Sequence, residues 1–420
     1  FSISGTASVG NILSISEDTA DPDGTGDLTI KWESSADEIT WTTVGSSSTF
    51  ELFSSSSLSI EKQIGDDFIG NAGDWLGGDV SLSSDGNVLA FTVNNTNTYS
   101  PNYTGEKGVR IFKNNNEQWE QIGNDLENSS TGGISAISLS SDGSIIAIGG
   151  PYINRGSDYN QRYVRVYQNQ NNNWVQLGSD INGNYYGGDD FGYSLQLSDD
   201  GKLISIGIPE SHRSDPFLFL SGSVEVYEYN DGASDWSIID ERLYGERSYE
   251  SSGTSISISG DGKRIAVGTN DRNNRNSKYG VTRVYEKISG QWTKIGGDIY
   301  QEGDNDGVSF GDGAGRSVAL SNDGSILVIG APSAGNSNGE IRVYKELNGN
   351  WNQLGNDITF GETDSNIIFL GLQVSISDDG STLVTTNQSR DNTKKSNVRI
   401  FKLDGQNWKE FTDNISSEST

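Results

Sequence analysis

An Asp-Gly turn that returns at near-constant intervals limits what this chain can become. The turn ends at Gly86, Gly143, Gly201, Gly262, Gly324 and Gly380, in steps of 57, 58, 61, 62 and 56 residues. Before each turn lies an alternating stretch whose apolar pair is Val80/Leu82, Ile137/Leu139, Leu195/Leu197, Ile256/Ile258, Val318/Leu320 or Val374/Ile376. Period two with one apolar face predicts a half-buried strand. Asp-Gly supplies the positive φ of a tight hairpin, and an apolar strand returns at once, at 88–91, 145–148, 203–206, 265–267, 326–329 and 383–384. A third strand follows a variable loop, from V-R-I-F at 109–112 to V-R-I-F at 398–401, and a fourth carries Trp119, Trp174, Trp236, Trp292, Trp351 or Trp408.

Four antiparallel strands therefore recur six times. One such sheet cannot bury both of its faces, so copies pack face to face, and radial closure protects most edges. The expected fold is all-β, a six-bladed β-propeller. A seventh blade is the alternative, because I-E-K-Q-I-G at 60–65 repeats the fourth-strand pattern of E-Q-I-G at 120–123 and V-Q-L-G at 175–178.

Composition narrows the chemistry. The 420 residues include no Cys, no Met and one His, so thiolate nucleophiles, Cys-ligated metals and multi-histidine metal sites are excluded, and any His-dependent triad must use His212. A formal charge of −29 repels nucleic acid and anionic membranes. No apolar run approaches the ~20 residues of a membrane helix. A Met-free chain starting at Phe1 is expected to be a processed part of a longer product, and the Asn/Ser/Gly/Asp-rich, Cys-free texture fits an extracellular or cell-surface location.

Three motifs stand out in the repeats: G-G-D-D-F-G-Y-S-L-Q-L-S-D-D-G at 187–201, Phe310-Gly311 followed by Gly330-Ala331-Pro332, and W-x-Q-x-G-x-D-I at 174–181 and 351–358. In these the repeats resemble the FG-GAP-like propeller repeats of bacterial surface proteins, akin to integrin α-subunit blades. Residues 1–53 resemble the Ig-like repeats of large bacterial adhesins, with strands expected near 1–4, 11–15, 28–34, 39–44 and 49–53. A complete sandwich takes ~100 residues, so this module is truncated, and either the propeller wall or a strand donated by a neighbouring molecule covers its edge. The expected domains are 1–57, a partial Ig-like module; 58–412, the propeller; and 413–420, a C-terminal tail.

Acidic loops without His or Cys suit calcium. Asp21, Asp23 and Asp27 surround one Gly turn, and Asp304, Asp306 and Asp312 form a second cluster. In the second, Phe310 stands where the integrin-type loop has a closing acid, and Asp residues in tight turns are also explained by turn formation alone. The repeated Trp residues read as blade-to-blade packing and the repeated third-strand Arg as salt bridges. Tyrosines of the long connections, Tyr99, Tyr103, Tyr152, Tyr159, Tyr185, Tyr186, Tyr244 and Tyr249, are the expected recognition face.

The sequence thus reads as a non-enzymatic extracellular adhesion or structural protein, part of a surface adhesin or a subunit of a filament or sheet. Its partners are copies of itself or surface glycans and proteins. A carbohydrate-binding propeller using loop aromatics is the first alternative, and a paired-carboxylate glycosidase the second. Occupied calcium loops would make the melting temperature rise with millimolar calcium and fall with EDTA; a thermal melt indifferent to both removes the calcium assignment.

Overall fold

A computed structural model describes residues 63–70, 75–94, 108–126, 132–149, 162–183, 189–269, 280–300, 313–334, 338–359, 367–389 and 397–411, together with short strands elsewhere. The chain divides into two compact units, Phe1–Glu61 and Lys62–Thr420. In the first, Ser2–Ser4, Ile12–Ser16 and Thr49–Glu51 form a three-stranded antiparallel sheet, and Trp32–Ser34 pairs with Thr42–Gly45.

The second unit is a six-bladed β-propeller of four-stranded antiparallel blades. Blade 1 runs Trp75–Leu82, Val88–Asn94, Gly108–Asn115 and Gln118–Gln121. Blade 3 runs Ser194–Leu197, Leu203–Ile208, Ser223–Asn230 and Asp235–Ile238. Blade 6 runs Val374–Ile376, Thr382–Ser389, Asn397–Asp404 and Asn407–Glu410. Within the expected tail at 413–420, Ile415–Ser416 pairs with the third strand of blade 6, Ile415 opposite Val398.

Each hairpin is set by its own Ser and Asp. Ser83 Oγ donates to Asp85 Oδ1 at 2.6 Å, Asp85 Oδ1 accepts from Asn87 N at 2.9 Å, and Ser83 Oγ accepts from Val88 N at 2.8 Å. The same triangle recurs at Ser140/Asp142, Ser198/Asp200, Ser259/Asp261, Ser321/Asp323 and Ser377/Asp379. The following Gly takes the left-handed backbone, φ 71° at Gly86.

Around the axis the turns are joined backbone to backbone. Ser84 N donates to Ser141 O, Ser141 N to Asp199 O, Asp199 N to Gly260 O, Gly260 N to Asn322 O and Asn322 N to Asp378 O, at 2.8–3.1 Å. Ser84 Oγ reaches Asp378 Oδ2 at 2.9 Å, linking the last blade to the first. The innermost strands would otherwise present unpaired N–H groups along their edge. Side chains of the preceding blade accept several of them: Ser81 Oγ from Leu139 N, Ser138 Oγ from Leu197 N, Gln196 Oε1 from Ile258 N and Ser257 Oγ from Leu320 N, at 2.9–3.0 Å. The small polar residues that alternate with the apolar pairs are thus fasteners between blades.

The apolar pairs face the preceding blade. Ile137 and Leu139 pack with Val109, Ile111 and Ala90 of blade 1, and four further clusters of this kind lie at the junctions of blades 2/3, 3/4, 4/5 and 5/6. Close approach requires glycine at the end of the second strand. A Cβ on Gly268 would lie 2.1 Å from Gly315 O, and one on Gly207 2.2 Å from Gly253 O.

Hydrogen bonds from Ser and Asn side chains and from backbone amides hold Asp85 and Asp379 down to about 2. Asp142, Asp261 and Asp323 are also lowered, the same hydrogen bonds outweighing an opposing burial effect. A carboxyl that holds its proton less tightly folded than unfolded stabilises the fold above its unfolded value near ~4, and that contribution is lost as pH falls toward the folded value. Urea midpoints are expected to change little between pH 7 and 5 through these groups and to drop between pH ~4 and ~2, with the drop reduced when the turn Asp residues are replaced by Asn.

Candidate functional site

Most of the ring obeys the repeat, so departures from it locate function. The third-strand Arg meets an Asp 15 residues on: Arg110–Asp125 at 3.0 Å, Arg165–Asp180 at 2.7 Å, Arg283–Asp298 at 2.9 Å and Arg342–Asp357 at 3.3 Å. Arg399 uses Glu410 instead, at 2.9 Å. In blade 3 the signs are exchanged, since Glu225 occupies the Arg position and pairs with Arg242. The Trp residues are joints between blades, with Trp174 Nε1 donating to Ile122 O, Trp236 Nε1 to Leu177 O and Trp408 Nε1 to Leu354 O, at 2.8–3.2 Å. Neither set forms an open site.

Blade 3 also carries a connection with a texture of its own. Between its second and third strands the chain forms a small hairpin, Arg213–Ser214 against Phe217–Leu218, closed by Asp215-Pro216. Phe217 is 67% exposed and Phe219 40% exposed. The His212 ring stacks on Phe219 with centroids 4.6 Å apart, and Tyr249, itself 40% exposed, meets Phe219 edge-on at 5.3 Å.

This aromatic group is held rigidly. Leu220 N donates to His212 Nδ1 at 2.9 Å, Phe219 N to Ser248 Oγ at 3.1 Å, Tyr249 N to Phe219 O at 2.7 Å and Ser252 N to Ser221 O at 2.9 Å. Leu220, Tyr249 and Ser251 adopt left-handed backbone, φ 49°, 65° and 52°. Bulky side chains seldom occupy that region, and strain of this kind persists only where surrounding contacts enforce it.

The enforcing contacts lie beneath. Glu250, next to Tyr249, is buried and paired with Arg283, which is 1% exposed and also bonds Asp298. Lys294 Nζ bridges Asp298 and Glu246 at 2.8 and 2.9 Å. Burial opposes the charge on Arg283, yet the hydrogen bonds it donates to Glu250 and Asp298 drive its pKa upward. Burial likewise opposes ionisation of Asp298, but the Arg283 and Lys294 hydrogen bonds bring it down to about 2. Alongside, burial and the Glu225 carboxylate push the Tyr227 hydroxyl up.

Of the expected recognition tyrosines, Tyr244 and Tyr249 fall on this surface, and the Arg213 guanidinium lies 5.8 Å from the Tyr244 ring centroid. Tyr152 lies on a short strand whose side chain is not among those described; Tyr99, Tyr103, Tyr159, Tyr185 and Tyr186 lie outside the described residues. So do Asp21, Asp23, Asp27, Asp304, Asp306 and Asp312, the expected calcium ligands. Among the described residues no group of three or more Asp, Glu or His is arranged to hold a metal. Sequence reasoning missed Phe217 and Phe219; the signal was S-H-R-S-D-P-F-L-F-L at 211–220, two aromatics and the one His in a connection that lacks the Asn and Tyr of the corresponding stretches at 94–107 and 270–279.

No family model and no curated protein matches the chain. Solved structures share its fold. A putative 6-phosphogluconolactonase from Bacteroides uniformis is 12% identical, with 80% of this chain and 84% of that chain covered and a TM-score of 0.51. The β-propeller domain of Cps50 (Swd1) from Myceliophteria thermophila is 11% identical, covering 81% and 88%, with a TM-score of 0.46. The β-propeller domain of the Trilobed protease from Pyrococcus furiosus is 13% identical, covering 81% and 83%, with a TM-score of 0.45. At these identities the likeness is one of fold.

The expectation of a non-enzymatic chain is corrected here. The fold is shared with a protein described as a lactonase, so this architecture does not set catalysis aside. The buried network gives a direct test of the platform's support. Arg283→Met removes the buried guanidinium from Glu250, leaving it Arg247 at 3.5 Å, and from Asp298, leaving it Lys294 at 2.8 Å, and is expected to cost about 3–5 kcal/mol in urea unfolding, whereas Arg110→Met, at a partly exposed pair, costs about 1 kcal/mol or less.

Proposed function

We propose that the chain is an extracellular recognition and adhesion module that holds its ligand on the blade 3 aromatic platform. The observation that carries this reading is a rigid, solvent-facing set of rings, with His212, Phe217 and Phe219 on a connection whose sequence departs from the repeat and Tyr249 set against Phe219 from the loop that leads to blade 4. Exposed aromatics fixed before binding lose little entropy when a ligand covers them, which makes such clusters the energetic centres of recognition surfaces.

The resemblance of the repeats to FG-GAP-like units and of residues 1–53 to adhesin Ig-like repeats supports a surface role, as does the Cys-free acidic composition. A neutral glycan is the ligand class that fits best. Ring faces stack on the apolar faces of pyranoses, while a charge of −29 opposes approach of polyanions. Self-association into a filament or sheet is compatible with this role, the salt of the surroundings screening the repulsion.

A glycan array probed with the full chain is expected to show binding to neutral polysaccharide that Phe217→Ala and Phe219→Ala weaken at least about tenfold, with the circular dichroism spectrum unchanged. Equal binding by both variants overturns the platform as the site. Turnover of a glycan or lactone panel, lost in His212→Ala, would assign the same surface to catalysis.

A further inference from the structure

Five blade junctions share an apolar core, and the junction between blade 6 and blade 1 is built differently. Val80 and Leu82 of blade 1 are 55% and 54% exposed, whereas their counterparts Ile137, Leu139, Leu195 and Leu197 are 5–7% exposed. On blade 6 the residues Val384, Val398 and Ile400 are half-buried, while Ala90, Val109 and Ile111 at the same positions of blade 1 are 0–2% exposed.

At this junction lies a fourth-strand end that pairs with no third strand among the described residues. Trp119 Nε1 donates to Ile64 O at 3.0 Å and its ring lies over Gly65, as Trp174 lies over Gly123 and Trp236 over Gly178. In those pairs the glycine closes the fourth strand of the preceding blade. Blade 6, however, already has its own fourth strand, Asn407–Glu410, and its own Phe411 N bonded to Ile400 O at 2.8 Å. Residues 63–68, Q-I-G-D-D-F, match Q-I-G-N-D-L at 121–126, and Gln63 Nε2 reaches Asp67 Oδ1 at 2.7 Å as Gln121 Nε2 reaches Asp125 Oδ1 at 2.6 Å.

In complete blades a third strand fills three contacts beside this motif. Its carbonyl accepts the amide of the residue before the glycine, as Ile111 O does from Ile122 N at 2.8 Å and Val166 O from Leu177 N at 2.8 Å. Its backbone pairs in both directions with the apolar residue beyond, as Val109 does with Leu126 at 3.0 Å. Its Arg reaches the Asp, as in Arg110–Asp125 and Arg165–Asp180. Among the described residues, Ile64 N and Phe68 N have no hydrogen-bond partner, and Asp67, exposed, is bonded to Gln63. Ile64 is itself 48% exposed.

Phe68 already packs on Phe91 and Phe112 of blade 1, with ring centroids 5.1 and 4.6 Å apart, and leaves Val80 and Leu82 uncovered. We infer that residues 63–68, with exposed Val80 and Leu82 beside them, form an acceptor for an added β-strand whose occupant is an extended segment carrying an arginine between branched apolar residues. The blades themselves specify that occupant, because each intact V-R-[VI]-[YF] strand is the same motif already filled. Addition of such a strand satisfies Ile64 N and Phe68 N, gives Asp67 a guanidinium and covers Ile64 and the exposed Val80 and Leu82. This inference stands on the ring seam and is independent of the blade 3 platform.

The test uses the full chain and a fluorescein-labelled synthetic peptide of residues 162–170, R-Y-V-R-V-Y-Q-N-Q. Anisotropy titration is expected to show saturable one-to-one binding. Arg165→Glu in the peptide, or Asp67→Arg in the protein, weakens it at least about tenfold, and combining the two reversals recovers part of the loss. Absence of saturable binding overturns the inference, as does binding indifferent to both reversals. Asp67 is exposed, so its variant is expected to keep the wild-type circular dichroism spectrum and urea midpoint, which separates loss of the acceptor from loss of the fold.

Discussion

The innermost strand of each blade has only one neighbour within its own sheet, and its other edge of backbone amides must find acceptors or water. This constraint organises the ring. Ser81, Ser138, Gln196 and Ser257 supply the acceptors from the blade before, and the turn amides of Ser84, Ser141, Asp199, Gly260 and Asn322 supply a second circuit nearer the axis. Both circuits require blades at a fixed distance and angle, which in turn forces glycine where the second strand meets the next blade, as at Gly268 against Gly315. The apolar pairs then fill the remaining wedge.

Once the hydrogen-bond circuits fix the spacing, the same positions in every blade face the same demands, and departures become informative. Blade 3 keeps the circuits and still exchanges the sign of its ion pair, placing Glu225 where the other blades have Arg. It also lifts Phe217, Phe219 and Tyr249 into solvent on a loop tied to the buried Arg283–Glu250 pair. The seam at blade 1 departs in the opposite sense. There the circuit thins to a side-chain contact between Ser84 and Asp378, and the apolar positions that are buried elsewhere remain open. A ring joined this way tolerates a difference at its closure because each blade already holds its own four strands.

Much of the ring was legible in the residues. The Asp-Gly turns, the alternating pairs and the Trp positions gave six blades because each reports a local demand: positive φ, period two, a bulky joint. The recurring Arg was legible as a salt bridge, and its partner lies at a constant spacing of 15 residues in four blades. The candidate site was legible only in part. Tyr244 and Tyr249 were expected on a binding face, yet the rings that make the platform with Tyr249 are His212, Phe217 and Phe219, which come together through backbone bonds between loops about 30 residues apart, such as Phe219 to Ser248 with a separation of 29.

What the sequence determined by itself was everything that repeats, since a repeated local pattern imposes a repeated local geometry and a sheet must cover its faces. What only the tertiary structure decided was where the pattern is left unfinished. Exposure of Val80 and Leu82 cannot be read from residues that look like their buried counterparts, because burial belongs to the pair of surfaces and not to either strand. The stacking of His212 on Phe219 was equally invisible, since it depends on a hairpin and a neighbouring loop held at one distance by hydrogen bonds that no single stretch of the chain contains.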